Sequence, residues 1–253
     1  MPASMTARLP AGWRVPSDYL RDHVVLIAGA AGGLGRASAL ACARAGASVV
    51  LLGRRIARLE KVYDEILALN VSNPAIYPLD LAGATPRDYA ELAATIEREF
   101  SRLDGIVHAA AHFEDLRPAA DIEADDWLRA IHVNVSAPFL LTQACLPLLR
   151  QSTQASVVFV LDDPQRMAKA YWGGYGVSKH ALAGLASILR DEWESTRVRA
   201  HAVLPAPMRT KLRHAAYYGE DANTVPTPDA TADAVVYLLG AEAAGVAAPL
   251  DLR

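Results

Sequence analysis

The chain has 253 residues, 52% of them hydrophobic and 21% charged, and a formal net charge of −3. A chain of this size and composition can bury a large core, which excludes a disordered tail. The slight negative charge provides no basic surface, so we expect no nucleic-acid partner.

The first twenty residues contain three prolines and no continuous apolar run. They match neither a secretory signal nor a membrane span. We therefore predict a flexible N-terminal arm over 1–20 and a cytoplasmic protein with no membrane contact. Cys42 and Cys145 lie in apolar helical patterns, so we expect buried, reduced thiols. The histidines show no metal-ligand spacing, and no metal site is predicted.

From residue 21 onwards, short apolar runs alternate with longer helical patterns. The predicted strands are 23–28, 48–52, 75–79, 105–108, 156–161, 198–203 and 248–252, and the predicted helices are 33–46, 55–70, 86–100, 124–150, 174–194 and 228–240. This alternation predicts an α/β fold over 21–253. We expect a single doubly wound Rossmann-type domain, with a seven-stranded, mostly parallel sheet and helices on both faces.

The proline-rich segment 205–228 interrupts this alternation of strands and helices after the sixth predicted strand. Ligands of open α/β sheets bind outside the carboxyl ends of the strands, where this segment begins. A substrate lid and a plain surface excursion are equally good interpretations of it.

The first predicted strand runs directly into a glycine-rich turn, Ala28-Gly29-Ala30-Ala31-Gly32-Gly33-Leu34-Gly35, which opens a helix. Glycines permit a tight turn and a close approach of the backbone to a ligand. The N-terminus of the helix adds free N–H groups and the positive end of the helix dipole. Strand, turn and helix together predict a phosphate site at Gly29, Gly33, Leu34 and Gly35.

The second predicted strand ends without an acidic residue and is followed by Arg54 and Arg55. NAD-binding turns usually carry an acid here for the ribose 2′-hydroxyl, whereas arginine accommodates a 2′-phosphate. The two arginines favour NADP(H) over NAD(H).

A tyrosine and a lysine, Tyr175 and Lys179, lie four residues apart in an apolar helical pattern. This spacing places both side chains on the same face of a helix. A cation beside a phenol favours the phenolate, which predicts a tyrosine that exchanges protons nearer to neutral pH.

Together these motifs resemble those of the short-chain dehydrogenase/reductase family, from about residue 22 to the C-terminus. The family's glycine motif falls on residues 28–35, its helix asparagine on Asn134, and its tyrosine and lysine on Tyr175 and Lys179. The L-L-G-R sequence at 51–54 is similar to that of an NADP-preferring bacterial subgroup.

The resemblance implies hydride transfer between NADP(H) and a carbonyl or alcohol substrate. Tyr175 would exchange a proton with the substrate oxygen, Lys179 would lower the pKa of that tyrosine and hold the nicotinamide ribose, and the main-chain carbonyl of Asn134 would hold a water. The other implied cofactor contacts are Asp80, Leu81, Ala109, Ala110, Pro205 and Thr210. The helices at 124–150 and 174–194 would form the interface of a homodimer or homotetramer.

One departure from the family concerns the chemistry directly. The catalytic serine of the family lies thirteen residues before the tyrosine, and that position is Asp162 in this chain. The serine donates a hydrogen bond to the substrate oxygen, and losing one such donor costs on the order of 10²–10³ in rate.

Three interpretations of Asp162 remain open. In the first, the protein is a carbonyl reductase that uses Tyr175 as its sole or principal donor, at a reduced rate. In the second, Asp162 stays protonated beside Asp163 and donates in place of the serine. In the third, the protein binds the cofactor without turnover and acts as a sensor or partner subunit. The presence of Asn134, Tyr175, Lys179 and Thr210 favours an enzyme.

Three further side chains lie close to these motifs. Tyr171 and Trp172 precede the tyrosine motif and would either line a substrate pocket or pack in the core. His108 ends the fourth predicted strand, near the expected cofactor.

Overall fold

The structure is a computed structural model that describes residues 6–71 and 74–253. Within these ranges it contains seven strands, which are Val24–Ala28 (β1), Ser48–Gly53 (β2), Ala75–Pro78 (β3), Gly105–His108 (β4), Ala155–Val160 (β5), Val198–Leu204 (β6) and Leu250–Asp251 (β7). Each lies within about three residues of the boundaries predicted for it.

Helices alternate with these strands. The α-helices are Gly33–Arg44 (α1), Ile56–Leu67 (α2), Pro86–Phe100 (α3), Ala124–Ile131 (α4), Ala137–Gln151 (α5), Pro164–Met167 (α6), Gly173–Glu192 (α7), Lys211–Ala216 (α8) and Asp229–Leu239 (α9). A π-helical turn, His132–Ser136, joins α4 to α5. The predicted helix 124–150 is therefore one continuous helical run, with a π-helical turn in place of α-helix around Asn134.

The seven strands form one sheet in the order β3-β2-β1-β4-β5-β6-β7. Every pair of neighbouring strands is parallel. β2 pairs with one side of β1 and β3 pairs with β2. β4 then pairs with the other side of β1. This reversal is the topological switch point, and it opens a crevice at the carboxyl ends of β1 and β4. The predicted doubly wound fold is confirmed.

The core consists of two apolar layers, one on each face of the sheet. In β1, Val25 and Ile27 face the layer formed with α1, α2 and α9. Val24, Leu26 and Ala28 face the layer formed with α3, α5 and α7. Alternate residues of a strand point to opposite faces, so a strand that is apolar throughout needs a cover on both.

The N-terminal segment differs from the predicted flexible arm. Residues 1–5 lie outside the described residues, but residues 6–20 are packed against the domain. Ala7 forms a parallel bridge with Leu250 in β7. The Trp13 ring contacts Tyr237 of α9 edge-on at 5.1 Å between centroids. Leu20 is fully buried. The apolar side chains spaced through this proline-containing segment fix it to the sheet edge and to α9.

One helical run among the described residues meets the length and hydropathy criteria for a membrane span. It is Ala124–Gln151, with a mean hydropathy of 1.2 in its most apolar window, of which 44% is buried inside the protein. Core helices of this kind satisfy the same criteria, because burial in a protein also requires an apolar surface.

Candidate active site

The glycine turn lies at the mouth of the crevice, between β1 and α1. Gly29 has a φ of +85°, and a β-carbon at this position would lie 2.6 Å from the backbone nitrogen of Ala110. Only glycine combines this left-handed conformation with so close a neighbour. α1 then begins at Gly33 without a side-chain cap and without an acidic residue in its first turn. The N–H groups of that turn are therefore available to a phosphate.

Gly35 packs against the turn from inside the helix. A β-carbon on Gly35 would overlap the carbonyl oxygen of Gly29, whereas one on Gly245 would meet no heavy atom within 4 Å. We expect Gly35→Ala to cost about 2 kcal/mol or more of unfolding free energy, because a backbone overlap cannot be relieved by side-chain rotation. It should also weaken dinucleotide binding by displacing the turn.

Chemical denaturation and titration with NADPH would measure both effects. Gly245→Ala is the matched control and should leave stability and binding unchanged. Wild-type stability and affinity for Gly35→Ala would contradict the tight packing of the turn.

The segment after β6 contacts the same turn. Pro205 is half-buried directly after β6. A β-carbon on Gly33 would lie 2.8 Å from Cγ2 of Thr210. Thr210 also caps α8, since its hydroxyl oxygen accepts the N–H of Arg213 at 3.2 Å. The structure therefore brings Thr210 to the predicted phosphate site.

The predicted adenosine end of the crevice is lined by exposed side chains. Arg54 and Arg55 are exposed after β2, and neither forms a salt bridge within residues 6–71 and 74–253. Asp80 is also exposed, and its Oδ1 accepts the N–H of Ala82 at 3.1 Å. Leu81 is buried in the core beneath it. Two unpaired guanidinium groups beside a glycine turn suit a ligand with several phosphates.

Tyr175 and Lys179 lie one turn apart on α7, as predicted. The Lys179 ammonium is 5.5 Å from the centre of the Tyr175 ring, and Nζ donates a hydrogen bond to the Val160 carbonyl at 2.8 Å. Burial lowers the pKa of Lys179 to about 8, while the charge of Asp162 acts in the opposite direction. The lysine is thus anchored at the end of β5 rather than bonded to the phenol.

The predicted acidification of Tyr175 is wrong for this structure. Burial raises the pKa of Tyr175 well above its usual value, and the charge and hydrogen bond of Asp162 raise it further. The Tyr175 hydroxyl donates to Oδ2 of Asp162 at 2.9 Å. Spacing along a helix indicated which cation lies near the phenol, but it gave no sign that a carboxylate would lie closer.

The pairing of Asp162 with Asp163 also differs from what was expected. The carboxylate of Asp163 turns away, caps α6 by accepting the N–H of Gln165 at 2.9 Å, and forms a salt bridge with Arg253 at 3.0 Å. Asp162 is only half-buried. The two side chains therefore have separate partners, and the donor role considered for Asp162 stays a prediction.

Asn134 connects the loop after β4 to α7. Its Oδ1 accepts the N–H of His112 at 2.6 Å, and its Nδ2 donates to the His112 carbonyl and to Oγ of Ser178, both at 2.9 Å. The Ser178 hydroxyl in turn donates to the Tyr175 carbonyl at 2.7 Å. The side chain thus positions the helix that carries the tyrosine. The predicted binding of a water by the main-chain carbonyl of Asn134 stays a prediction.

Aromatic side chains enclose the Tyr175 ring. Phe113 lies 5.4 Å from it and Trp172 lies 5.9 Å from it, between ring centroids. Tyr217, which follows α8, lies 6.1 Å from Trp172. The segment 205–228 therefore lies beside the tyrosine, although its function as a lid stays a prediction. Neither Phe113 nor Tyr217 was expected here, because no local pattern links them to α7.

A cavity of about 30 Å³ adjoins this aromatic cluster, and both Tyr171 and Trp172 line it. His112, Glu114 and Asp126 meet at its rim, with potential ligand atoms within 4.8 Å of one another. Arg117 lies 3.7 Å from Asp126. A guanidinium therefore already balances negative charge at the rim.

The His108 side chain is buried in the core. Its Nε2 lies 2.8 Å from Oγ1 of Thr142, and its ring stacks on Phe159 at 5.0 Å. Burial lowers the pKa of His108 to about 3. A neutral, hydrogen-bonded imidazole beneath the sheet end supports the crevice rather than reacting in it. Ala109 and Ala110 follow it, and Ala110 contacts the glycine turn.

Comparison with known proteins extends these observations. The sequence model of a family described as short chain dehydrogenase matches residues 23–221. The chain is 36% identical to oxidoreductase YciK of Escherichia coli over 223 residues, which cover 88% of each protein.

Solved structures show the same similarity. A short chain dehydrogenase from Pseudomonas syringae has a TM-score of 0.92 at 41% identity, covering 95% of this chain and 98% of that one. A short chain dehydrogenase from Escherichia coli CFT073, complexed with NADPH, has a TM-score of 0.89 at 35% identity, covering 93% and 98%.

Proposed function

The chain belongs to the short-chain dehydrogenase/reductase family, and on that premise we propose that it is an NADP(H)-dependent oxidoreductase acting on a carbonyl or alcohol substrate. The observation that carries the proposal is the position of the Tyr175 hydroxyl, at the carboxyl end of β5 beside Lys179. A phenol and an ammonium at the edge of a dinucleotide crevice can exchange a proton with a substrate oxygen.

The residues of the crevice support the binding of this cofactor. Gly29, Gly35 and the first turn of α1 would hold the pyrophosphate, with Thr210 against the turn. Asp80 and Leu81 would lie at the adenine, and Lys179 at the nicotinamide ribose. The dinucleotide supplies or accepts the hydride when bound.

The contribution of this chain to the reaction is orientation and proton exchange. Tyr175 would meet the substrate oxygen, and the aromatic side chains around it would exclude water from that oxygen. Asp162 stands where the family has its serine, so the usual second hydrogen bond to the substrate oxygen would be missing.

The preference for NADP(H) rests on Arg54 and Arg55, which are exposed and unpaired in the described chain. A solved relative from Shigella flexneri is complexed with NADP, which supports the same choice. We expect Arg54→Ala to weaken NADPH binding by about 10-fold or more, because a charged hydrogen bond to phosphate contributes about 1.5–3 kcal/mol. NADH, which has no 2′-phosphate, should lose little affinity.

Calorimetric titration of both dinucleotides would measure this difference. Arg44→Ala is a matched control, because Arg44 is an exposed arginine at the opposite end of α1. Equal losses for NADPH and NADH in Arg54→Ala would contradict the assignment.

Turnover tests the proposed activity directly. The purified protein would be incubated with NADPH and a panel of ketones and aldehydes, and with NADP⁺ and the matching alcohols, while the reduced nicotinamide absorbance is followed. We expect at least one pair to react. Tight NADPH binding without any turnover would instead favour a cofactor-binding sensor or partner subunit.

The proposed enzyme is a homodimer or homotetramer. Leu128 of α4, Phe139 of α5, and Val177 and Ile188 of α7 are all exposed apolar side chains. Such exposure on helices next to each other supports an interface between copies of the chain. The mass of the protein in solution is the direct test.

A further inference from the structure

The Tyr175 hydroxyl is already engaged in a hydrogen bond. It donates to Oδ2 of Asp162 at 2.9 Å, while Oδ1 of the same side chain accepts the N–H of Asp163 at 2.7 Å. A phenol has one hydrogen to donate. A substrate oxygen that accepts this hydrogen therefore breaks the bond between Tyr175 and Asp162.

Breaking that bond leaves the Asp162 carboxylate without a side-chain donor. Asp162 forms no salt bridge in the described part of the chain, and the two cations near its charge have other hydrogen-bond partners. Lys179 donates to the Val160 carbonyl at 2.8 Å, and Arg213 pairs with both carboxylate oxygens of Glu220 at 2.7 Å. Because Asp162 is half-buried, the loss of a donor disfavours the complex unless the substrate supplies another.

The geometry of the pair defines where a replacement donor would lie. A substrate oxygen bound to the phenol would be about 2.7–2.8 Å from Oη of Tyr175, and Oδ2 of Asp162 is 2.9 Å from the same Oη. The substrate oxygen and Oδ2 thus share one neighbour. A substituent on the carbon next to the reacting carbon is the part of the substrate that would meet Oδ2.

The charges around the adjoining cavity favour a positively charged substituent. Three carboxylates, those of Glu114, Asp115 and Asp126, line this cavity together with one guanidinium, that of Arg117. His112 also lines it, and burial lowers the pKa of this histidine, so its ring adds no positive charge at neutral pH. The walls of the cavity beside the tyrosine therefore carry a net negative charge.

The aromatic cluster adds a second attraction for a cation. The faces of aromatic rings attract positive charge. The ring of Tyr217 already has the guanidinium groups of Arg166 and Arg213 over it, at 5.6 Å and 4.7 Å from its centre. Phe113 and Trp172 lie closer to the reactive tyrosine, and among the described residues no cation lies over either ring.

We propose that Asp162 selects substrates that carry a protonated amine on the carbon next to the carbonyl, which are α-amino ketones or aldehydes and the corresponding amino alcohols. The ammonium group replaces the Tyr175 hydroxyl as the donor to Oδ2 of Asp162, and the released hydroxyl binds the substrate oxygen. Asp162 remains a carboxylate throughout, and the selection acts on both directions of the reaction. The inference rests on the proposed oxidoreductase function and specifies its substrate class.

The test compares three ketones of similar size in the presence of NADPH. Aminoacetone, hydroxyacetone and butanone carry an ammonium, a hydroxyl and a methyl group at the same position. Wild-type kcat/KM should be about 10-fold or more higher for aminoacetone than for butanone, because a hydrogen bond between charged groups is stronger than a neutral one. In Asp162→Asn and in Asp162→Ser the difference should fall to about twofold or less. Asp163→Asn removes a carboxylate that is paired with Arg253 and should retain the wild-type preference.

A second measurement needs no turnover. Aminoacetone and butanone are titrated by calorimetry into the protein saturated with NADP⁺, which has no hydride to transfer, and into the protein without dinucleotide. Aminoacetone should bind wild type about 10-fold or more tightly than butanone does. Asp162→Asn should remove this difference, whereas Asp163→Asn should keep it.

The outcomes separate this inference from the proposed function. Turnover of ketones with equal kcat/KM for aminoacetone and butanone, or a preference that persists in both Asp162 variants, overturns the inference alone. A stronger preference for hydroxyacetone than for aminoacetone also overturns it, because a neutral donor would then suffice. Absence of turnover with every compound overturns the oxidoreductase function, and the calorimetric comparison then decides the ammonium preference. If Asp162→Asn does not fold, Asp162→Ser decides by the same criteria.

Discussion

Replacement of Tyr175 by phenylalanine is expected to lower turnover by about 10²–10⁴-fold, the usual contribution of a positioned proton donor or acceptor. The change removes one oxygen, whose hydrogen bond is to Asp162. The ring, packed against Phe113 and Trp172, keeps its contacts, so stability should change by only about 1 kcal/mol. Rates with a reactive substrate pair and thermal melting would separate the two effects.

Tyr171→Phe is the matched control for this prediction. Tyr171 is four residues earlier and 57% exposed, and it lines the same cavity as Tyr175. Removal of its hydroxyl should leave the rate within about twofold, because within the described residues this hydroxyl forms no hydrogen bond with Tyr175, Lys179 or Asp162. A Tyr175→Phe protein that retains wild-type rates would contradict the assignment of Tyr175 as the residue that exchanges a proton with the substrate.

The largest expected effect on stability concerns Asp104, far from the crevice. Its side chain is 1% exposed and accepts the Val24 N–H at 2.9 Å, the Ser152 hydroxyl at 2.6 Å and the Arg102 guanidinium at 2.8 Å. These bonds join the beginnings of β1 and β4 to the end of α5. Asp104→Ala should cost about 3 kcal/mol, because it leaves buried donors without an acceptor.

The pH dependence of stability provides an independent check. Burial raises the pKa of Asp104, but the hydrogen bonds from Arg102, Ser152 and Val24 outweigh it and hold the pKa below its usual value. Such a group stabilises the fold fully above its unfolded pKa of about 4, and this contribution is lost as the pH falls through the folded value. Wild type should lose stability below about pH 4, and Asp104→Ala should lose less.

Urea denaturation across this pH range would measure both quantities. Asp64→Ala, at an exposed position on α2, should change stability by less than about 0.5 kcal/mol. An Asp104→Ala variant as stable as wild type would show that the buried carboxylate does not hold the amino edge of the sheet.

Local patterns predicted the elements of the fold well where the determinants are local. α3 begins and ends as predicted, at Pro86 and Phe100, because proline is favoured in the first turn of a helix and the apolar spacing is regular. β4 is likewise Gly105–His108. Apolar strands and alternating helices were enough to predict the parallel sheet and hence the position of the crevice.

Contacts between distant parts of the chain could not be predicted in the same way. Ala7 pairs with Leu250, and Arg253 pairs with Asp163; no spacing rule relates such residues. The pKa of Tyr175 is a further example, because its direction depends on burial and on which charge lies nearest rather than on the distance to Lys179 in sequence. The motif predicted which residues lie together on α7, but the surrounding packing determines the direction in which their pKa values shift.

The contacts near the two ends of the described chain have a practical consequence for work with this protein. Because Ala7 runs parallel to β7, the polypeptide enters the sheet edge from the side opposite the crevice. Arg253, by contrast, is bound to the neighbour of Asp162. A group fused to Arg253 would therefore begin close to Asp163 and to the proposed site next to it.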